Sequence, residues 1–459
     1  MLALVTVLAI KLLWICTGVF DTDDAMRLVE VRDLINGQGW FDLSQYRLDP
    51  PGVLMHWSRV VDLPLAASIV ALKPLIGIHD AGSVTLFLWP LPLLAGAVAL
   101  VVAIARRLNN GLVVSQISAA VLAVLAVRHF VHFRPGVIDH HNVQIDLLLA
   151  LILFTLQIER SAIKAAMAGL VASLSLAIGV EMLPVITAIS IAVVGLFIWR
   201  GVRVGRQIAA FGIALASSSL VLALALLPRR ELVSSVCDSL GGPVLLLTVG
   251  GGISLTVMVG IDRYHSTLWL RLATATESAA ALIGAFVWLF AGCLTSPYGQ
   301  LDPLVVSLWL DKLQETISLA TMLRLGPEEV LGFYGFSLIA LGVAAVALIR
   351  SNPSDRFRWV VGIAPLTALF AISVWEIRGT AGAAMVAAPM FAAGAAIAWP
   401  SLAIGRNLVL LAFVVSPAAF TVLGPAIEPL IDLIFEQQKM YFTSLPKPQD
   451  VRACRTSLP

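Results

Sequence analysis

Apolar stretches long enough to cross about 30 Å of hydrocarbon as helices recur in this chain from residue 2 to residue 426. In a lipid interior each backbone N–H and C=O must find its partner within the protein, and a helix supplies that partner locally. A chain built of such stretches is therefore an all-α, polytopic membrane protein, and no separate soluble domain fits between the spans. Composition agrees: 59% of the 459 residues are hydrophobic and 13% are charged, about half the charged share of an ordinary soluble domain. The net charge of +2, with no Lys/Arg-rich run and no Gly-rich phosphate loop, gives no reason to expect nucleic acid.

The first stretch, "LALVTVLAIKLLWICTGVF", is followed by "DTDD" and lacks a small-residue cleavage site, so it reads as a retained span. Lys11 inside it reads as a snorkelling side chain or a partner within the bundle. Hydropathy places further spans at about 84–105, 112–128, 143–158, 165–180, 184–199, 208–227, 243–260, 273–294, 330–349, 359–376, 380–399 and 408–426, making thirteen in all. The stretch 60–78 is also apolar but carries Asp62, Pro64, Lys73 and Pro74. With that stretch in the interface, one set of short loops collects Arg106, Arg107, Arg160, Lys164, Arg200, Arg203, Arg206, Arg263, Arg271, Arg350, Arg356, Arg358 and Arg406. The opposite set holds only Arg128, Arg134, Arg229, Arg230 and Arg378. The positive-inside rule then puts the amino terminus in the cytoplasm, and residues 21–83, 129–142, 295–329 and the tail 427–459 outside the inner membrane.

Those external segments hold the unusual residues. In the first, Asp21 or Thr22 can cap a short amphipathic helix with Leu28, Val31 and Ile35 on its apolar side and Gly37 at its end. Asp21, Asp23 and Asp24 crowd the start of that helix, more carboxylate than a cap requires. In the second, "FRPGVIDHHN" (133–142), Asp139 ends a loop opened by Pro135 and Gly136. Oxygen and imidazole donors two residues apart, Asp139 and His141, can turn toward one divalent cation. Asp146, seven residues on and close to the same helical face, either serves function within the membrane or simply reaches water or Arg134. The third, "SPYGQLDPLVVSLWLDKLQETISLATMLRLGPEEV", is too polar to span yet keeps an apolar rhythm through Leu304, Leu308, Trp309 and Leu313, so it is expected along the membrane surface, ending at Glu315. Arg378, at the outer mouth of two helices, either pairs with Glu376 or clamps a phosphate with its guanidinium fork.

In this order the pieces resemble the membrane part of oligosaccharyltransferase catalytic subunits, within the GT-C glycosyltransferases. Asp23 resembles the family's first-loop aspartate by its spacing to "RDLI", Gly39 and Trp40. Asp139 and His141 match the second-loop motif, written DxD in some members and DHH in archaeal ones. "KLQE" resembles the fifth-loop motif ending in glutamate, Glu315, with Lys312 in place of the usual hydroxyl residue. Arg378, before "APM", resembles the arginine that contacts the lipid pyrophosphate. The resemblance covers residues 1–426 as one transmembrane catalytic domain; 33 residues follow, without the family's large external domain and its Trp-Trp-Asp motif.

The resemblance implies a membrane glycosyltransferase that moves a sugar or oligosaccharide from a polyprenyl phosphate or pyrophosphate to an acceptor on the external side, with inversion. It implies Mg²⁺ or Mn²⁺ held by Asp23, Asp139, His141 and Glu315, with Asp23 and Glu315 catalytic, Arg378 on the donor phosphate, and Asp24, His140 and Asp146 in support. The competing reading is a transporter or flippase of lipid-linked saccharides, which predicts polar groups near the bilayer midplane and internal repeats. Here the acidic residues gather on one face. Of the four cysteines, Cys16 and Cys293 fall in or at the ends of spans, while Cys237 and Cys454 fall outside, where a disulfide is permitted and the two either pair or stay free thiols.

Overall fold

The computed structural model describes residues 21–48, 51–235, 237–294, 304, 313–404 and 406–424. The expected first span with Lys11 and Cys16, most of the late external loop with Leu308, Trp309 and Lys312, and the tail with Cys454 lie outside the described residues. Two compact units divide the chain: the first is Met1–Ala25, Ile76–Asn142 and Leu304–Pro459, the second Met26–Leu75 and Val143–Pro303.

Helices follow the apolar segments closely. After α1 (Thr22–Ile35) and a small hairpin of β1 (Ser44–Gln45) and β2 (Val53–Leu54) come α2 (Arg59–Leu88), α3 (Pro90–Leu108), α4 (Val113–His129), α5 (His141–Thr155) and α6 (Ala162–Ile178). Then follow α7 (Leu183–Arg200), α8 (Gly205–Leu226), α9 (Gly242–Tyr264), α10 (Leu268–Leu289), α11 (Leu319–Leu325), α12 (Phe336–Arg350), α13 (Arg356–Trp375), α14 (Gly379–Ala398) and α15 (Asn407–Val414). The hairpin is antiparallel, with Ser44 opposite Leu54 and Gln45 opposite Val53. Each of the twelve spans expected after the first is matched by a helix, but not each by a full crossing. Among the described residues seven continuous helical stretches are long and apolar enough to cross a membrane, and the bent pair Asn407–Val414 and Pro417–Gly424 makes an eighth. Two of the seven, Arg59–Leu108 and Val180–Leu226, each contain consecutive helices, and the apolar helices Val113–Val127, His141–Thr155 and Ala162–Ile178 are shorter. The stretch 60–78 is helical, with the backbone of α2 broken at Gly77, whose φ of 81° suits glycine.

In the first unit α14 forms the axis, and nearly every one of its residues is buried. Its sequence, "GTAGAAMVAAPMFAAGAAIA", is mostly Ala and Gly, and small residues let neighbouring backbones approach. A Cβ at Gly394 would stand 3.0 Å from Val343 Cγ1 and 3.3 Å from the Val343 carbonyl, so α12 lies tight against it. In the second unit the same device joins α6, α8 and α9. A Cβ at Gly169 would meet the Phe211 carbonyl at 2.5 Å, and one at Gly212 the Gly252 carbonyl at 2.7 Å. Ser173 Oγ donates to the Leu215 carbonyl at 2.9 Å and accepts from Ser219 Oγ at 2.9 Å, so polar groups bridge the same contact.

The buried face of α1 corrects the expected amphipathic helix. Val31 is fully buried, but beside it lie Asp24, Arg27 and Glu30 rather than Leu28 and Ile35, which are only half-buried. In the second unit Arg27 and Arg59 both bond the carboxylate of Asp62, at 2.9 and 3.1 Å, with all three side chains buried. The Arg27 guanidinium lies 4.5 Å over the Trp57 ring, and Arg59 also donates to the Asp42 carbonyl at 2.7 Å. A buried charge is tolerable only when its partners are complete, so this cluster ties α1, the hairpin loop and α2 together.

The cysteine expectation is also corrected. Cys237 is bonded to Cys293, with an S–S distance of 2.05 Å, and not to Cys454. Cys293 sits in the 3₁₀ turn Ala291–Leu294 just past the end of α10, which brings it to the segment that precedes α9.

Candidate functional site

The first unit assembles its polar residues at three chain segments. Helix α1 begins where Asp21 accepts the N–H groups of Asp23 and Asp24 on its Oδ1, both at 3.0 Å, so Asp21 is the cap and the helix start is fixed. This presents Asp23 outward and buries Asp24 completely.

The loop before α5 supplies the second segment. A 3₁₀ turn, Val131–Phe133, is followed by Gly136 at φ 92°, whose N–H bonds the Leu86 carbonyl at 3.0 Å. Phe133, Val137 and Ile138 are buried, which anchors the loop to the bundle. Asn142 closes it from the other side by donating to the carbonyls of His132 and Val137, each at 3.2 Å. Between these anchors Asp139 Oδ1 lies 2.6 Å from His140 Nδ1, and Asp139 Oδ2 lies 3.3 Å from His141 Nε2. One ligand atom from each of Asp139, His140 and His141 falls within 4.8 Å of the others. The two imidazoles are close, with ring centroids 4.6 Å apart, and the His132 ring lies tilted with its centroid 5.2 Å from that of His141.

The third segment is Gln314–Thr316, a 3₁₀ turn carrying Glu315. It is stitched by backbone to the start of α14: Ile377 N–H donates to the Ile317 carbonyl at 2.9 Å and Arg378 N–H to the Glu315 carbonyl at 3.3 Å. Arg378 is thereby the residue that opens a long helix, where the free N–H groups and the helix dipole already favour an anion. Its guanidinium forms an ion pair with the buried carboxylate of Glu376.

Asp23 reports on the whole arrangement. Its carboxyl is held above the usual carboxylate range, first by partial desolvation, then by the negative charges of Asp139, Glu315 and Asp21, with His141 opposing. Asp23 therefore lies in the field of both other acidic segments. Asp24, whose carboxyl is pushed up to about 7 chiefly by burial and then by Asp21, accepts the N–H groups of Ile138 and Asp139 on its Oδ1, at 2.7 and 2.9 Å.

Of the residues expected from sequence, Asp23, Asp24, Asp139, His140, His141, Glu315 and Arg378 all belong to this unit. His140, expected only in support, is as much part of the ligand cluster as His141. Asp146 lies farther along α5 in the second unit, half-buried, with its Oδ1 buried and without a hydrogen-bond partner among the described residues. Sequence reasoning missed the parts played by His132 and Asn142, although Asn142 ends the stretch that drew attention to Asp139 and His132 immediately precedes it. One carboxylate and two imidazoles form a mixed oxygen and nitrogen donor set, which suits Mn²⁺ or Zn²⁺ better than the all-oxygen preference of Mg²⁺.

Neither a family model nor a curated protein matches the sequence. Solved structures do. The archaeal oligosaccharyltransferase AglB from Archaeoglobus fulgidus, in complex with an inhibitory peptide and a dolichol-phosphate, matches with a TM-score of 0.70 at 15% identity, over 93% of this chain and 55% of its own. The Archaeoglobus fulgidus oligosaccharyltransferase complexed with Zn and sulfate gives 0.62 at 14% identity, over 93% and 52%. The form tethered through a disulfide to an acceptor peptide containing the NVT sequon gives 0.63 at 15%, over 93% and 54%. The chain thus spans about half the length of these proteins. It has an oligosaccharyltransferase-like fold of the GT-C type.

Proposed function

We propose that this chain is a membrane glycosyltransferase that moves a saccharide from a polyprenyl phosphate or pyrophosphate to an acceptor at the external boundary of the bilayer. One observation carries the reading: Asp139, His140 and His141 converge within 4.8 Å in the same unit that holds Asp23, Glu315 and Arg378. A fold shared with an enzyme solved in complex with a dolichol-phosphate, and with one tethered to an acceptor peptide, supports the choice of donor and makes a peptide one candidate acceptor.

The residues present fit a divalent cation, and one solved neighbour carries Zn and sulfate. Asp139, His140 and His141 would hold it, with Asp23 and Glu315 completing the set. When bound it supplies positive charge beside the leaving phosphate. The other roles fall to the chain itself. Asp23 lies in the field of Asp139 and Glu315, and its raised carboxyl holds a proton more readily than an ordinary aspartate, which suits it to take the acceptor's proton. Glu315 is exposed and reaches outward from its turn, suited to orienting the acceptor or sharing that proton. Arg378, at the positive end of α14, would exchange Glu376 for the departing phosphate and stabilise the charge that develops there. The sugar would change hands by a single displacement at the anomeric carbon: the acceptor bond forms on one face as the carbon–oxygen bond to the lipid phosphate breaks on the other.

The direct test incubates the full chain, purified in detergent, with a polyprenyl-linked saccharide extract and follows release of the lipid phosphate, with Mn²⁺, with Mg²⁺ and with chelator. Divalent-dependent release coupled to glycosylation of an acceptor supports the reading. Movement of intact lipid-linked saccharide between the leaflets of reconstituted vesicles, without release, would replace it with transport.

A further inference from the structure

We propose that Asp24 is a positioning residue: by accepting the N–H groups of Ile138 and Asp139 on one oxygen it sets the turn from which Asp139, His140 and His141 project, and it does so as an acceptor rather than as a charge. This rests on the reading of that cluster as the working centre.

Three features of the bonding support it. First, Asp24 is fully buried and its Oδ1 takes both bonds, at 2.7 and 2.9 Å, across 114 and 115 residues of chain. Two consecutive N–H groups converging on one oxygen fix the direction of the peptide between them. That peptide is the one leading into Asp139. Second, Asp24 is itself held. Asp21 Oδ1 accepts its N–H at 3.0 Å and that of Asp23 at 3.0 Å, so the helix start that presents Asp23 also delivers Asp24 to the loop. One cap therefore aligns two acidic segments. Third, Oδ2 of Asp24 is buried with no hydrogen-bond partner among the described residues. A buried oxygen left unsatisfied costs free energy, which a purely structural acceptor such as serine would avoid. The aspartate therefore serves through the reach of its Oδ1, not through economy of folding.

The loop alone would not hold this turn. Ile138 and Asp139 precede α5, which begins at His141, so their N–H groups have no partner within that helix. Without Asp24 the two amides lose the acceptor they share beneath a buried Ile138, and the turn is free to open. Groups that orient ligands from behind in this way are worth about 10- to 100-fold in metal affinity.

The experiment compares wild type, Asp24→Asn and Asp24→Ala in the full detergent-solubilised chain, by two readouts. Hydrogen exchange in the peptide 133–142, without added metal, reads the turn directly; Mn²⁺ titration followed by paramagnetic resonance reads the cluster. Asp24→Asn keeps an acceptor and should match wild type within about twofold in both. Asp24→Ala should exchange at Ile138 and Asp139 at least about tenfold faster and bind Mn²⁺ about 10- to 100-fold more weakly. If Asp24→Ala does not survive purification, Asp24→Leu fills the volume without accepting and takes its place. Unaltered exchange in the alanine variant overturns the proposal, as does an asparagine variant that falls with it, since charge would then be what matters. Faster exchange in the alanine variant, with no Mn²⁺ bound by wild type, upholds the positioning role and removes the cation from the functional reading instead.

Discussion

The backbone N–H of Arg378 donates to the carbonyl of Glu315, so the residue expected on the leaving phosphate and the residue expected on the acceptor are joined through the main chain. Their separation is set by hydrogen bonds rather than by side-chain choice. The guanidinium itself rests on Glu376. Replacing Arg378 with Lys keeps the charge but loses the fork that matches a phosphate. Turnover of a polyprenyl-linked donor should fall about a hundredfold, while thermal stability in detergent changes little. Equal turnover would mean that the arginine only pairs with Glu376.

Ligands of one cation act as a unit. Asp139→Asn and Glu315→Gln should each lower transfer by about two or more orders of magnitude, and the double variant should lose far less than the product of the two. Melting curves should stay close to wild type for Glu315→Gln, which is exposed. Transfer should vanish with chelator and return with Mn²⁺. Strictly multiplicative losses would place the two residues in separate sites.

Glu30 should make stability depend on pH. It is buried, and its carboxyl is pushed up to about 8, first by burial and then by Asp62, with Arg27 and Arg59 pulling the other way. The folded chain therefore holds this proton more tightly than the unfolded chain, whose glutamate titrates at about 4.3. The contribution is complete below the unfolded value and is lost as pH rises through about 8. Melting temperature should decline between pH 5 and pH 9 more steeply in wild type than in Glu30→Gln, because only the wild type carries this proton linkage. Parallel declines in the two proteins would mean that another group governs the slope.

Asp62 carries two buried arginines. Asp62→Ala strips Arg27 and Arg59 of their shared acceptor and should cost about 3–5 kcal/mol, read as a lower denaturation midpoint. Combining it with Arg27→Met and Arg59→Met should recover much of that loss, because no uncompensated charge then remains. Failure of the triple variant to recover would show that the cluster does more than balance charge.

The Cys237–Cys293 bond predicts a compartment. A stable disulfide forms where the surroundings oxidise thiols; Cys237 lies in a loop that the charge bias places outside, and Cys293 in the turn just past α10, at the end of the expected span. Non-reducing peptide mapping should recover this pair joined across 56 residues. Recovery of Cys237 bonded to Cys454 would overturn the Cys237–Cys293 pairing. Labelling of a cysteine placed at Gly82 from the external side only would support the same topology.

Much of this was legible in the residues themselves. Apolar length marked the helices, Asp21 announced the cap that it forms, and Gly37, at φ 102°, ends α1 as expected. The clustering of Asp139 with His141 followed from spacing. The buried face of α1 did not, because Asp24, Arg27 and Glu30 look like a solvated stripe until their partners are known. Those partners, Ile138, Asp139, Arg59 and Asp62, lie tens of residues away or more, and helical periodicity carries no information at that range. The partner of Cys237 was not legible for a related reason: sidedness narrows the candidates for pairing, but only the end of α10 decides which thiol reaches Cys237.

Helix α14 is enclosed on nearly all sides, yet α1 to α13 are all made before it. While a ribosome is still translating residue 375, α3 and α4, which in the finished unit pack on α14 as well as on each other, have already been made, and the faces they turn to α14 are still without it. Insertion of the first unit is thus a matter of timing as well as of hydrophobicity: its early helices wait, incompletely packed, for an alanine-rich segment whose own affinity for the bilayer is modest. Nascent chains arrested before and after residue 398 should differ sharply in how readily these early helices are extracted or proteolysed, because the arrival of twenty residues closes the structure around them.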